Sequence, residues 1–201
     1  MKINCDDSAY MFEAELKALV KDERKLLDAL RDLGACAEAE AIYDDRYFDK
    51  ASGELRASQR ELRIRRVFKN QTEECLLTAK LAPFDAATRS KQEFEISLRE
   101  PDIAEDILKT IGFNLDIALR KECRNFRFSF NNRNILATLA HIRELGKTFI
   151  ELESLVPDQN ETPNALNTLE HVLDKLCIPR EDLTSEYYTD AVRASRFKVK
   201  S

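Results

Sequence analysis

Hydrophobic and polar residues alternate with a period of two along much of the first 156 residues of the chain. Because successive side chains of a strand point to opposite faces, this alternation predicts strands with one apolar and one polar face. Polar turns at residues 70–73 and 131–133 are expected to join two hairpins. The predicted strands lie at residues 9–18, 41–49, 62–69, 75–81, 91–98, 117–130, 134–142 and 149–156.

Other segments carry apolar residues at helical spacing or no regular pattern. Asp22 is expected to cap a helix that stops at Gly34, and Pro101 to open a helix with Ile103, Ile107, Leu108 and Ile111 on one side. Further helices are predicted at residues 164–176 and 181–193, a loop or short helix at 50–60, and a mobile loop at 82–90.

These elements predict an α+β fold, in which an eight-stranded antiparallel β-barrel is flanked by helices. Eight strands suit a closed barrel, because closure removes exposed strand edges. With 201 residues the chain can bury one good core, so a single domain over residues 1–201 is expected. Its barrel core would span about residues 9–155 and its C-terminal helices about residues 161–196.

The composition of the chain limits the classes of binding partner and the cellular location that we expect. A net charge of −5 argues against nucleic acid or an anionic membrane as the main partner. No apolar run approaches the roughly 20 residues of a membrane helix, and the first residues do not resemble a signal peptide. The five cysteines are widely spaced and form no CxxC pair, which predicts neither disulfides nor a zinc site and favours the cytoplasm.

The polar faces of the strands are nearly all charged. Glu13, Glu15 and Lys17 share one face of the first strand, and two adjacent carboxylates repel unless a cation or proton lies between them. A solvated outer face is one interpretation. The other is a barrel interior that binds divalent cations through carboxylates and phosphate through basic side chains. With four glycines and no phosphate-binding glycine loop, the chain would have to grip phosphate with side chains.

The charged segments resemble, in their order, the CYTH domain of the triphosphate tunnel metalloenzymes, closest to proteins similar to class IV adenylyl cyclases. The resemblance covers about residues 9–155, and the C-terminal Ser-Glu-Tyr-Tyr-Thr-Asp at 185–190 extends it. It rests on Glu13-x-Glu15-x-Lys17, Tyr47-Phe48-Asp49, Leu62-Arg63-Ile64-Arg65, Leu77-Thr78-x-Lys80, Lys91-x-Glu93-x-Glu95 and Glu151-x-Glu153.

The resemblance implies a β-tunnel that binds a triphosphate with Mg²⁺ or Mn²⁺. It assigns the metal to Glu13, Glu15, Glu151 and Glu153, and an acidic lining to Asp49, Glu93 and Glu95. It assigns phosphate binding to Lys17, Arg63, Arg65, Lys80, Lys91, Lys121 and Arg124, and catalytic roles to Lys17, Tyr47 and Arg65. Lys121 and Arg124 have opposite strand parity, so either a bulge turns both inward or only one of them serves.

The chain departs from the family pattern at one further position. Many members carry an inward Asp shortly before a Leu-Gly pair, whereas this chain has Ala140-His141 before Leu145-Gly146. Three functions remain open: an adenylyl cyclase acting on ATP, a triphosphatase acting on thiamine triphosphate, inorganic triphosphate or a nucleoside triphosphate, and a binding module without turnover. The stripe of Phe126, Phe128 and Phe130 is expected to pack on a helix, with a homodimer contact as the alternative.

Overall fold

A computed structural model describes residues 11–83 and 91–198, and within these ranges the chain forms nine strands and five α-helices. The strands are β1 (Met11–Leu19), β2 (Cys36–Ala37), β3 (Ala41–Lys50), β4 (Glu61–Lys69), β5 (Thr72–Lys80), β6 (Lys91–Ser97), β7 (Phe113–Phe130), β8 (Arg133–Ile142) and β9 (Lys147–Val156). The helices are α1 (Glu23–Asp32), α2 (Glu54–Ala57), α3 (Pro101–Thr110), α4 (Thr162–Lys175) and α5 (Tyr188–Lys198). None of these helices is long and apolar enough to cross a membrane.

Eight of the described strands close into an antiparallel barrel. The strands follow one another in the order β3-β4-β5-β6-β1-β9-β8-β7, and β7 pairs with β3 to complete the ring. Strand β2 pairs with β7 outside the barrel. The predicted α+β fold with an eight-stranded barrel is therefore confirmed.

Two tight turns set the register of the long hairpins. Asn70 and Gln71 join β4 to β5, and Asn131 and Asn132 join β7 to β8, all with positive φ. Two-residue turns of this kind match the right-handed twist of the flanking strands. The first turn is shorter than the predicted 70–73, because β5 already begins at Thr72.

The main hydrophobic core lies between the outside of the barrel and the helices. Ala14 of β1 is fully buried in one cluster with Leu169 of α4. Phe126 and Phe128 are buried in this cluster and Phe130 packs against it, which confirms the prediction that the stripe packs under helices. Because these strands turn their apolar residues outward, their charged residues point into the barrel.

The C-terminal helix begins later than predicted. In place of a helix over 181–193, Arg180–Asp182 form one 3₁₀ turn, the chain then runs extended, and α5 starts only at Tyr188. The extended stretch is held to β1, since the N–H of Thr184 donates to the carbonyl of Lys17 at 2.9 Å and Lys17 Nζ donates to the carbonyl of Glu186 at 2.6 Å. These hydrogen bonds to the end of β1 take the place of those that a helix would have formed. The extended stretch covers one mouth of the barrel.

Two other expectations concern exposed segments. Helix α3 begins at Pro101 as predicted, but Leu108 is buried while Ile103 and Ile107 are 57% and 55% exposed. The helix contacts the barrel along a narrower face than its sequence predicted. Of the loop predicted at 82–90, residues 84–90 lie outside the described ranges.

Candidate active site

The inside of the barrel carries a dense set of charged side chains. The pleat of β1 turns Glu13, Glu15 and Lys17 inward, because Ala14 and Leu16 between them are buried in the outer core. The charged set is therefore the lining of a tunnel and not a solvated outer face. Strand pairing brings to the same interior Asp45, Glu61, Arg63, Arg65, Lys80, Lys91, Glu93, Lys121, Glu151 and Glu153.

Asp45 of β3 positions the two arginines of β4. Its carboxylate accepts from Arg65 Nε at 2.6 Å and from Arg65 Nη2 at 2.8 Å, and lies 3.8 Å from Arg63 Nη1. Burial alone would raise the pKa of this fully buried carboxyl, but Arg65 and Arg63 hold the pKa well below its usual range. Sequence reasoning missed Asp45. The available signal was its place two residues before Tyr47, on the same strand face.

Lys80 of β5 lies between two carboxylates. Its Nζ is 2.9 Å from Glu13 Oε2 and 2.9 Å from Glu93 Oε2. Although burial opposes ionisation of Glu93, Lys80 and Arg63 lower its pKa to about 2. Lys80 therefore stays charged beside an ionised Glu93, whereas burial raises the pKa of Glu13 even though the charge of Lys80 opposes this.

Lys91 of β6 has a comparable partner in Glu61 of β4. The two side chains form an ion pair, and the pKa of Glu61 lies below its usual range because Lys91 and Lys80 outweigh the effect of burial. Glu61 is the second interior acid that sequence reasoning missed. It stands at the start of its strand and shares the strand face of Arg63 and Arg65, and its pairing with Lys80 places it inside the barrel.

Glu15 and Glu153 form a pair of interior carboxyls whose pKa values are both raised. They occupy paired positions on β1 and β9, and neither makes an ion pair with a lysine or arginine of the described ranges. Burial, then repulsion from Glu13 and Glu151, raises the pKa of Glu15 to about 7. Burial and the same kind of repulsion raise the pKa of Glu153 well above its usual range. A cation between the two would relieve this repulsion.

The donor chemistry of this acidic end fits a divalent cation such as Mg²⁺ or Mn²⁺, which prefers carboxylate oxygens. In residues 11–83 and 91–198, however, no three His, Cys, Asp or Glu side chains converge as a metal site. Glu13 is engaged with Lys80 instead. Glu15 and Glu153 are therefore the two carboxylates ready to bind a cation, and Glu13 and Glu151 would join after leaving their lysines.

Lys121 and Arg124 have opposite strand parity on β7, and Lys121 is the one that faces the tunnel. Lys121 is 5% exposed inside the barrel, with Nζ 3.6 Å from Glu151 Oε1. Arg124 lies on the outer face, where it forms an ion pair with Glu23 of α1. The strand pairs regularly with β8 here, so no bulge turns Arg124 inward. Its predicted phosphate role is therefore wrong.

The position of the missing Asp is occupied by small and apolar groups. Ala140 of β8 is fully buried in a cluster with Phe149 and Tyr188. His141 points to the other side, where its Nδ1 lies 3.2 Å from Thr148 Oγ1. His141 therefore does not replace the missing carboxylate, and the sequence departure is also a structural one.

Two residues assigned to the acidic lining have other surroundings. Asp49 accepts from three backbone N–H groups of the segment that contains α2, so it caps that segment and does not line the tunnel. This corrects its predicted role. Glu95 lies at an exposed end of β6, where it accepts from Thr78 Oγ1 at 2.9 Å.

Two consecutive tyrosines of the C-terminal stretch cover basic residues of the tunnel mouth. The ring of Tyr188 lies 4.2 Å from Lys17 Nζ and 4.7 Å from Lys121 Nζ, and the ring of Tyr187 lies 4.3 Å from Lys91 Nζ. Such cation–π contacts hold the ammonium groups in place without neutralising them. The sequence marked this stretch only as part of the resemblance and assigned it no role.

Comparison with known proteins agrees with this geometry. A model of the CYTH domain family matches residues 11–188. The chain belongs to the CYTH domain family. The CYTH match spans the whole barrel and reaches Tyr188 at the tunnel mouth. CYTH family membership implies a divalent metal, which the chemistry of the acidic end fits.

Relatives of this CYTH chain include cyclase-like proteins. A "Putative adenylate cyclase" of Methanocaldococcus jannaschii is 25% identical over 180 residues, which are 90% of this chain and 98% of that protein. A Pyrococcus horikoshii OT3 structure is 25% identical with a TM-score of 0.79, covering 92% of this chain and 99% of that one. A Hippeastrum structure described as a "Putative adenylyl cyclase" with dominant triphosphatase activity is 18% identical, with a TM-score of 0.64 and coverage of 92% and 95%. The last likeness shows the fold alone.

Proposed function

We propose that this CYTH domain chain is a metal-dependent enzyme that converts ATP to cyclic AMP and pyrophosphate. One observation carries the proposal: a single tunnel contains both a basic group and, in Glu15 and Glu153, a pair of carboxyls without a basic ion-pair partner among the described residues. The basic side chains suit the oxygens of a triphosphate, and the carboxylates suit its divalent cation. The relation to the protein of Methanocaldococcus jannaschii favours cyclisation. The basic group consists of Lys17, Arg63, Arg65, Lys80, Lys91 and Lys121.

The proposed reaction needs no other reactant. The 3′-hydroxyl oxygen of the ribose bonds to the α-phosphorus, and the bond from that phosphorus to the β-bridging oxygen breaks. The hydroxyl proton is released, and the electron pair leaves with pyrophosphate. A divalent cation bound by Glu13, Glu15, Glu151 and Glu153 would supply Lewis-acid stabilisation of the negative charge that develops.

The side chains of the tunnel divide this work. Arg65, oriented by Asp45, holds a phosphate oxygen and stabilises the leaving group. Burial, then the charge of Asp45, raises the pKa of Tyr47, so its phenol stays neutral and donates a hydrogen bond. Burial lowers the pKa of Lys17, although Glu15 and Glu151 act against it, so Lys17 gives up a proton to a leaving oxygen more readily than an ordinary lysine.

Hydrolysis is the second candidate. The same lining would direct a water molecule at the γ-phosphorus of thiamine triphosphate, inorganic triphosphate or a nucleoside triphosphate. The activity described for the Hippeastrum neighbour is the reason to measure this reaction beside cyclisation. Ala140, in place of an inward Asp, favours a third candidate, which is binding without turnover.

One set of incubations separates the three candidates. The protein is incubated with ATP, thiamine triphosphate or tripolyphosphate and Mg²⁺ or Mn²⁺, and the products are resolved by chromatography. Equal amounts of cyclic AMP and pyrophosphate support the cyclase, orthophosphate supports the hydrolase, and tight binding without product supports the binding module. Glu13→Ala should abolish metal-dependent turnover, whereas Glu122→Gln on the outer face should not. Full activity of Glu13→Ala would contradict the proposal.

A further inference from the structure

A second cavity of about 260 Å³ adjoins the tunnel mouth. Four residues line both spaces: Tyr47, Glu61, Tyr187 and Thr189. The cavity lies between the α2 segment on one side and the beginning of α5 on the other. We call it the side chamber. The phosphate residues of the tunnel do not account for it, because Arg63, Lys80 and Lys91 line only the tunnel.

The chamber wall formed by the α2 segment is fixed to the barrel. Asp49 accepts from the N–H groups of Lys50 at 2.7 Å, Leu55 at 2.9 Å and Arg56 at 3.0 Å. Removing the Asp49 carboxylate would leave all three of these backbone N–H groups without their acceptor. The wall is thus a preformed surface and not a loop that has to order on binding.

The opposite wall is fixed by Arg193 of α5. Its guanidinium pairs with Asp116 of β7 and lies 3.6 Å from Asp190 Oδ1. The charges of this wall are therefore satisfied within the protein and are not directed at a ligand. What the chamber offers a ligand comes from the other wall and from the residues shared with the tunnel.

The remaining lining suits an aromatic ring. Phe48, Leu55 and Leu62 provide apolar surface. Arg56 contributes a planar guanidinium that makes no ion pair within the described ranges, and Arg60 lies beside it in the lining. Polar side chains make up more than half of the lining, and among them a guanidinium can stack on the face of an aromatic ring. The volume is slightly below the roughly 300 Å³ of small whole-ligand pockets, which fits one part of a larger ligand.

We propose that the side chamber binds the organic group of the substrate, a planar nitrogen-containing ring attached to the triphosphate, and that the chain prefers organic triphosphates to inorganic ones. This inference rests on the proposed function. One ligand can occupy both the tunnel and the side chamber. At the place where the two spaces meet, Tyr47 is paired with Arg63 and Glu61 with Lys80 across adjacent strands. A phosphate chain held by Arg63 and Lys80 therefore ends beside the chamber. Inorganic triphosphate would leave the chamber unfilled.

The inference is tested by blocking the chamber without touching the tunnel. Leu55→Trp fills the chamber, and Arg56→Ala removes its planar cation. Ile103→Trp, on the exposed side of α3, is the matched control for adding an indole. Calorimetry in the presence of Mg²⁺ measures binding of ATP, thiamine triphosphate and tripolyphosphate, and thermal melting checks that each variant is folded.

We expect Leu55→Trp to weaken ATP binding about tenfold, which corresponds to about 1.4 kcal/mol, and to change tripolyphosphate binding less than about twofold. Arg56→Ala should act in the same direction, and Ile103→Trp should change neither affinity. Stronger loss for thiamine triphosphate than for ATP would identify the thiamine group as the better occupant. Equal losses of affinity for ATP and tripolyphosphate, or no loss for either, would contradict the proposed role of the side chamber without contradicting that of the tunnel. If the unmodified protein binds none of the three, the proposed function fails and the inference with it.

Discussion

Replacing Glu15 by glutamine should stabilise the metal-free protein at alkaline pH. Burial and repulsion from Glu13 and Glu151 raise the pKa of Glu15 from 4.5 to about 7. A carboxyl with a raised pKa in the folded state contributes its full stability below its unfolded pKa, and this contribution is lost as the pH rises through the folded pKa. The amide cannot lose a proton, so the Glu15→Gln variant escapes this loss.

The size of the effect follows from the two pKa values. The difference between 4.5 and about 7 corresponds to about 3 kcal/mol of unfolding free energy at pH above about 8. This is an upper value, because Glu15 keeps some contact with solvent in the tunnel, and screening by water reduces the repulsion. A gain of about 1–3 kcal/mol relative to acid pH is therefore expected.

Urea denaturation in EDTA at pH near 5 and near 8.5 measures this gain. Glu122→Gln removes an equivalent carboxyl from the exposed outer face of β7 and should show no pH-dependent gain. Added Mn²⁺ or Mg²⁺ should then reverse the order: at about 100 times the dissociation constant it stabilises the unmodified protein by about 2.7 kcal/mol, and Glu15→Gln by less. The same pH dependence in Glu15→Gln and the unmodified protein would refute the reasoning.

Three further changes address other parts of the molecule. Asp45→Asn should lower the unfolding free energy by about 3 kcal/mol or more, because Arg65 stays buried without its carboxylate; urea denaturation measures this, and a loss under about 1 kcal/mol would contradict it. Lys121→Met should weaken tripolyphosphate binding about tenfold in calorimetry, whereas Arg124→Met should leave it within about twofold. Similar losses in both would show that the outer arginine reaches the ligand. Leu169→Ala should cost about 2–5 kcal/mol of unfolding free energy, since this α4 side chain is fully buried in the cluster between the helix and the barrel, and an unchanged urea midpoint would exclude that packing.

Periodicity in the sequence was sufficient to predict the barrel and much of its lining. In Glu13-Ala14-Glu15-Leu16-Lys17 the charged and apolar residues occupy alternate positions, so every regular strand separates them. The hairpin turn at Asn131-Asn132 was visible for a similar local reason, since asparagine tolerates the positive φ that a two-residue turn requires. These features depend on neighbours in the chain. The order of the charged segments also indicated the CYTH domain family.

The alternation pattern did not show which residues of distant strands contact one another. Asp45 looked like one acid among several until the register of β3 with β4 brought it to Arg65. Asp49 looked like tunnel lining, but the bulge between Tyr47 and Phe48 shifts the register of β3 just before it, and its carboxylate caps the α2 segment. Parity alone also could not say whether Lys121 or Arg124 faces inward.

The sequence by itself determined which side chains share a face, because that depends on the pleat of each strand. Only the tertiary structure decided which of those side chains meet. It paired Lys80 with Glu13 and Glu93, left Glu15 and Glu153 without a basic partner among the residues that the structure describes, and laid the C-terminal stretch across the mouth beside the side chamber. The physical reason is that strand register and barrel closure set distances between residues far apart in the chain, and the charges of the site depend on those distances.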